Sequence, residues 1–170
     1  YICQQLGICP PASQEIQSVF ARELAERFRF VQVNVNPYTE TEAFNRFEIT
    51  PKTNYILPLH DSYPTIAAQF KKRARQNIDK ARKNGIRVIT GMQVMDYVDL
   101  RKKHVDWDIK PEFYKILMKI ITRAQTKGNG RILVAYTPEN EVCAAAFFLR
   151  SGKRIIYLNA FSTKEGKKNN

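Results

Sequence analysis

The chain has no long apolar run. Its longest unbroken apolar stretch is the eight residues from Val142 to Leu149, well short of the ~20 that cross a bilayer as a helix. Histidine is scarce, with only His60 and His104 present. A His-rich zinc site or a histidine-based triad therefore has almost nothing to draw on, and no metal is expected. Cysteine is sparse as well. Cys3, Cys9 and Cys143 form no CxxC pair, and their odd number argues against a disulfide framework. These absences fit a reducing, cytoplasmic setting. Neither an initiating Met nor a basic-then-apolar leader stands at Tyr1, so the expectation is of a fragment.

What is present points to a folded, strongly basic protein. An apolar content of 44% over 170 residues is enough to fill a core. The net charge of +12, from 28 basic and 16 acidic side chains, attracts polyanions such as RNA, phosphorylated substrates or acidic lipid.

Along the chain, Pro10, Pro11 and Ser13 introduce a helix with Ser13 as N-cap. Ile16, Val19, Phe20, Leu24 and Phe28 recur at helical spacing and give it an apolar stripe. Phe30 to Asn36 alternates valine with polar residues, the pattern of a strand. Residues 37–52 read as a polar connection with one helical turn near Phe44 and Phe47. Thr53 to Leu59 is a second strand candidate, pushed toward a sheet edge by Pro58. One helix is then expected from about Tyr63 to Asn84, closed by Gly85. Beyond it come a short strand (86–90), two helices (92–104 and 112–126) and three apolar runs joined by polar turns, which predict an antiparallel meander.

The helix before Gly85 concentrates the charge. Lys71, Lys72, Arg73, Arg75, Lys80, Arg82, Lys83 and Arg87 face a single acid, Asp79, so more than half the net charge sits in a tenth of the chain. Ile66, Phe70, Ala74, Ile78 and Ala81 collect on one side for docking against a core. Asn77 falls inside that stripe, next to Arg73 and Lys80. A buried amide needs partners, so Asn77 is expected either to tie the helix to a neighbouring backbone or to face a polar cleft.

The stretch from Phe70 to Val88, FKKRARQNIDKARKNGIRV, resembles the aromatic-basic-Arg-x-Asn-Ile-x-x-Ala-x-x-x-Gly-Val/Ile segment of FemAB-like transferases, which contain two GNAT-fold domains. TNYILPL resembles the strand leading into it, and the element order that follows is similar to the opening of a GNAT domain. The likeness spans roughly residues 53–162. It implies an α/β (α+β) fold with a mixed, mostly antiparallel sheet flanked by helices, in parts of two tandem GNAT domains. Residues 1–60 would be the C-terminal part of the first, 61–85 a basic connecting helix, and 86–170 the N-terminal half of the second.

The function implied is acyl or aminoacyl transfer to an amine, with a cell-wall (peptidoglycan) precursor as one acceptor. Acyl-CoA or aminoacyl-tRNA would be co-substrate, with no tightly bound cofactor. The partners implied are a phosphorylated or nucleotide-linked substrate and tRNA; the basic amphipathic helix, read from its residues, could also lie on an acidic peripheral membrane surface. GNAT domains cradle donor pyrophosphate in a loop of Arg/Gln-x-x-Gly-x-Gly/Ala after the fourth strand. Residues Thr163 to Lys168 here supply one glycine only, a departure that Fem-type members using aminoacyl-tRNA share.

Such transfer needs no covalent nucleophile. It needs two substrates held together, a proton removed from the amine and an oxyanion stabilised. Arg73, Arg75, Asn77 and Lys80 are the candidate phosphate-binding residues, arginine being suited to bidentate contacts. Tyr157, Asn159 and Ser162 are the candidate donor-cleft groups, with Tyr157 and Asn159 expected on one sheet face opposite Leu158. No catalytic residue is assigned. The alternative is a non-catalytic RNA- or polyanion-binding module, or an inactive protein of the same fold.

Overall fold

In the computed structural model, residues 12–105 and 108–168 are described. Cys3, Cys9, Pro10 and Pro11 lie outside them. The chain divides into two compact units, one ending at Pro58 and one beginning at Leu59.

Among its described residues the first unit has one long helix, α1 (Gln14–Arg27), with Ser13 in the N-cap position but without a side-chain capping bond. Its buried face is only partly the one that the apolar spacing predicts, since Phe20 and Leu24 are half-buried and Phe20 packs on the Phe44 cluster. Ile16, Val19 and Phe28 are exposed, while Gln17 and Ala21 are buried. The Gln17 amide explains this, because burial leaves none of its polar atoms unpaired. Its Nε2 donates to the Ala12 and Tyr38 carbonyls at 2.9 and 3.4 Å. Its Oε1 accepts the Glu40 N–H at 2.8 Å. This stitches α1 to a 3-10 turn at Thr41–Phe44, where Phe44 meets Phe20 and Phe47 edge-on or tilted. The predicted strand at Phe30–Asn36 is reduced to one bridging residue, Val35, and Thr53–Leu59 forms no strand. Alternation suits residues to a sheet, but a strand exists only where a second backbone accepts its hydrogen bonds.

The second unit begins with α2 (Tyr63–Ala68) and α3 (Lys72–Lys83). The single helix expected over 63–84 is thus two, because Lys71 takes an extended conformation (ψ 149°). No proline or glycine at residues 69–71 signals this break. Gly85 closes α3 with φ +69°, and the Ile86 N–H reaches back to the Ala81 carbonyl at 3.0 Å, the Schellman arrangement that glycine allows. A Cβ at Gly85 would also lie 2.9 Å from the Pro138 ring.

The elements β1 (Arg87–Thr90), α4 (Val94–Lys103), α5 (Pro111–Thr126), β2 (Gly130–Tyr136), β3 (Val142–Ser151) and β4 (Arg154–Ser162) follow in order, and the short α6 (Lys164–Lys168) comes after β4. The strands pair antiparallel in the order β1-β2-β3-β4, so the predicted meander is present and the class is α+β. Both α4 and α5 pack on one face of the sheet. Tyr97, Val98, Leu117 and Ile121 from the helices meet Ile132, Val134, Ala145 and Phe147 from the strands in one core. On α5 the buried line is Tyr114, Leu117, Ile121 and Ala124. Ile116 is 51% exposed, because one residue before Leu117 lies about 100° away around the helix.

No helix among the described residues is long and apolar enough to cross a membrane.

Candidate functional site

Two regions of the second unit hold the candidate residues. On α3, no residue is buried. Arg73, Arg75, Asn77 and Lys80 are all exposed. Asn77 is therefore not the buried amide that its place in the apolar stripe suggested. The stripe itself is narrow, with Ile78 and Ala81 only half-buried. At ~100° per residue, Arg73, Asn77 and Lys80 follow one another along one flank, whereas Arg75 projects from the other. The Lys80 ammonium also lies 3.5 Å from the Lys168 carbonyl, bringing α3 to the end of α6.

On β4 the structure separates residues expected together. Phe147 pairs with Asn159 and Phe148 with Tyr157, so Leu158 is an extra residue, a β-bulge. Opposed residues of an antiparallel pair share a face. Asn159 therefore lies on the helix-covered face with the buried Phe147, and Tyr157 on the open face with Phe148. The Phe148 and Tyr157 rings are 5.4 Å apart. Ser162 pairs with Ala144 and shares the open face with Tyr157.

That open face carries a shallow cavity of about 440 Å³, lined by Leu133, Ala144, Ala146, Phe148, Tyr157 and Ser162 among others. Its floor is made of small side chains because β3 contributes alanine at alternate positions.

Beneath it, Asn159 is held from the helix side. The Tyr97 hydroxyl shares its proton between the Asn159 carbonyl at 3.0 Å and the Asn159 Oδ1 at 2.9 Å. Burial pushes the Tyr97 hydroxyl far above the usual phenol range, with Arg101 pulling in the opposite sense. The phenol stays protonated and keeps donating. Sequence reading missed Tyr97, for which the only signal was a tyrosine on the apolar line of a helix.

Thr163 was missed as well. Its buried hydroxyl donates to the Val142 and Cys143 carbonyls at 2.9 and 3.1 Å and accepts the Gly166 N–H at 3.0 Å. It therefore caps α6 and fastens it to β3. A Cβ on Gly166 would collide with the Cys143 carbonyl, so the single glycine of this segment serves close packing of α6 on β3. Cys143 is buried. Burial, with Glu165, Glu141 and Glu139 adding repulsion, pushes its thiol up, which suits a packing residue and not a nucleophile.

His104, just after α4, stacks on Phe161 with ring centroids 6.1 Å apart and planes 10° from parallel. Its imidazole titrates below the ordinary 6.5, first because burial disfavours the cation and then through Lys103, Lys164 and Lys167. The unfolded chain thus binds this proton more readily. The contribution of His104 to stability is complete above the unfolded value and is lost as pH falls toward the lower folded one. Denaturant titrations between about pH 7.5 and 5.5 check the sign. The parent chain loses stability with acid, and His104→Phe, which keeps a ring on Phe161, loses less.

Among the described residues, no group of three or more His, Cys, Asp or Glu side chains is placed to hold a metal ion. No protein-family model matches this chain, and a search of curated proteins returns no match either.

Proposed function

We propose that the chain serves GNAT-type acyl or aminoacyl transfer, in which an amine takes the acyl group of a CoA- or tRNA-linked donor. The observation that carries this reading is the β4 bulge. It turns Tyr157 and Ser162 onto an open, alanine-floored sheet face at the end of a strand–helix–helix–three-strand run. Bulges of this kind re-aim side chains beside active sites.

In the reaction, the amine nitrogen bonds to the donor carbonyl carbon while the C–S or C–O bond to the donor breaks. The ammonium proton passes to solvent or to the leaving group. Tyr157 and Ser162 are the hydroxyl donors nearest the developing oxyanion in this reading. Asn159 acts from beneath by fixing the bulge. Arg73, Asn77 and Lys80, on one flank of α3, hold a donor or acceptor phosphate as charge-assisted partners. Arg75, on the other flank, engages a separate phosphate. A cell-wall precursor amine is the acceptor that the FemAB likeness favours, and the cytoplasm is the corresponding setting.

The test uses the whole chain with acetyl-CoA or aminoacyl-tRNA and a panel of primary amines, following label transfer and donor release. Arg73→Ala combined with Lys80→Ala is expected to raise the KM for the phosphorylated substrate about tenfold or more with little change in kcat, since charged hydrogen bonds are worth roughly 1.5–3 kcal/mol. Tyr157→Phe is expected to lower kcat. Absence of both transfer and donor binding in the parent chain would sink the proposal.

A further inference from the structure

We propose that the open face of the sheet is the docking surface for helix α1 of a second copy of this chain. This goes beyond acyl transfer and does not rest on it.

An antiparallel sheet with one face in water alternates apolar and polar residues along its strands. β3 does not. Val142 to Leu149 is apolar without a break, the pattern of a strand covered on both sides, yet α4 and α5 pack on one side only. On the other side lie Ala144, Ala146 and Phe148, with Leu133 and Tyr157 opposite them on the neighbouring strands. Val88 and Ile155, on the edge strands of the same face, are 63% and 55% exposed. Apolar side chains grouped on a surface in this way mark a contact site.

The face is basic at one end. Arg131 stands opposite Phe148, and Arg150 is two residues beyond Phe148 on β3, so the two are diagonal neighbours roughly 7–8 Å apart. Among the described residues neither has an acidic partner. From Ala144 to Arg150 the face runs about 20 Å.

Helix α1 carries the complement. Its buried residues, Gln17 and Ala21, turn Ile16, Val19, Glu23 and Glu26 outward within an arc of roughly 80°. Ile16 and Val19 are exposed. The stripe is thus apolar in its first half and acidic in its second, with its ends about 15 Å apart along the helix. Laid along β3 in the same direction, α1 sets Ile16 and Val19 over Ala144 and Ala146 and brings Glu23 to Arg131 and Glu26 to Arg150. Arg27, now 2.8 Å from Glu23 in an exposed pair, lies at the margin of the stripe and keeps to solvent.

A helix suits such a face because its backbone bonds are internal, whereas an extended segment laid flat on it would bury unpaired N–H and C=O groups. A phosphate would engage the arginines and leave the apolar end bare. Two chains of +12 repel at long range, but at ~0.15 M salt the Debye length of about 8 Å screens that repulsion and leaves the contact pairs. A closed dimer makes the contact twice. The docked helix lies over the face that carries Tyr157 and Ser162, so the dimer is the closed form of that face and the monomer the open one.

The experiment is sedimentation velocity of the full chain at that salt, over a wide range of concentration, with two charge-reversed variants. The parent chain is expected to pass from monomer to dimer as concentration rises. Glu23→Arg with Glu26→Arg sets cation against cation, and Arg131→Glu with Arg150→Glu sets anion against anion. Each variant alone should associate at least about tenfold more weakly. An equimolar mixture of the two should associate as tightly as the parent, because each offers the other the missing charge, a recovery that misfolded proteins would not give.

A parent chain that stays monomeric throughout would overturn the proposal, as would a mixture no stronger than its parts. Dimerisation that neither variant weakens would put the interface elsewhere and overturn it too. None of these substitutions touches Arg73, Arg75, Asn77, Lys80, Tyr157 or Ser162. Failure of acyl transfer therefore leaves the association result standing, and the reverse holds too.

Discussion

Replacing Phe147 with alanine should destabilise the second unit by about 3–5 kcal/mol, the range for emptying a large buried aromatic site. Phe147 is fully buried in the cluster that joins α4 and α5 to the sheet. It is also the residue opposite Asn159 in the β3–β4 pairing. The cavity left behind is bordered by two helices and three strands, which limits how far it can collapse, so the cost should fall toward the upper end. Urea unfolding monitored by circular dichroism gives the measurement. A midpoint unchanged from the parent would show that the helix–sheet layer is not the source of stability described above. Phe147→Leu, which keeps most of the volume, should recover the larger share.

Removing the Tyr97 ring should have a comparable effect, about 3–5 kcal/mol for Tyr97→Ala, and here a second substitution separates packing from tethering. Tyr97→Phe keeps the ring, which is fully buried with its centroid 5.5 Å from that of Phe161, and deletes only the hydroxyl. It strands the Asn159 carbonyl and Oδ1 and should cost about 1–3 kcal/mol. The amide resonances of residues around the bulge should shift in Tyr97→Phe while those of β1 do not. If Tyr97→Phe were neutral in stability and spectrum, the hydroxyl would not be the tether of the bulge. If transfer activity is found, Tyr97→Phe is expected to reduce kcat more than it raises KM, because Tyr97 positions β4 without touching substrate.

Much of the second unit could be read from residue patterns. The runs after Gly130 are long, apolar and separated by residues that turn the chain. Asn140 and Gly152 take the positive φ values that those turns need, so local chemistry and tertiary pairing agree. The first unit was less legible because its burial is decided by an amide. Gln17 is chosen for the inside by the three backbone groups it satisfies, while apolar Ile16 and Val19 stay outside. The break at Lys71 had no breaker residue to announce it. The α3 stripe was real as periodicity but shallow as burial, which is why Asn77 was misplaced.

The candidate site failed to be legible at one point for a definable reason. Counting alternate residues along β4 puts Tyr157 with Asn159. One additional residue at Leu158 reverses that assignment, and no composition signal marks a bulge whose Asn159 is bonded to a hydroxyl 62 residues earlier in the chain.

The sheet order also constrains how this unit assembles. β2, β3 and β4 are joined by short turns and can zip as neighbours. β1 cannot meet β2 until both α4 and α5 have been spanned. Closing that longer loop carries a larger entropic cost before any contact repays it. The meander is therefore the expected nucleus, and β1, exposed along its whole length, is the strand expected to join last. The basic helix, which joins the sheet through β1, is then expected to reach its place only when the rest of the sheet is complete.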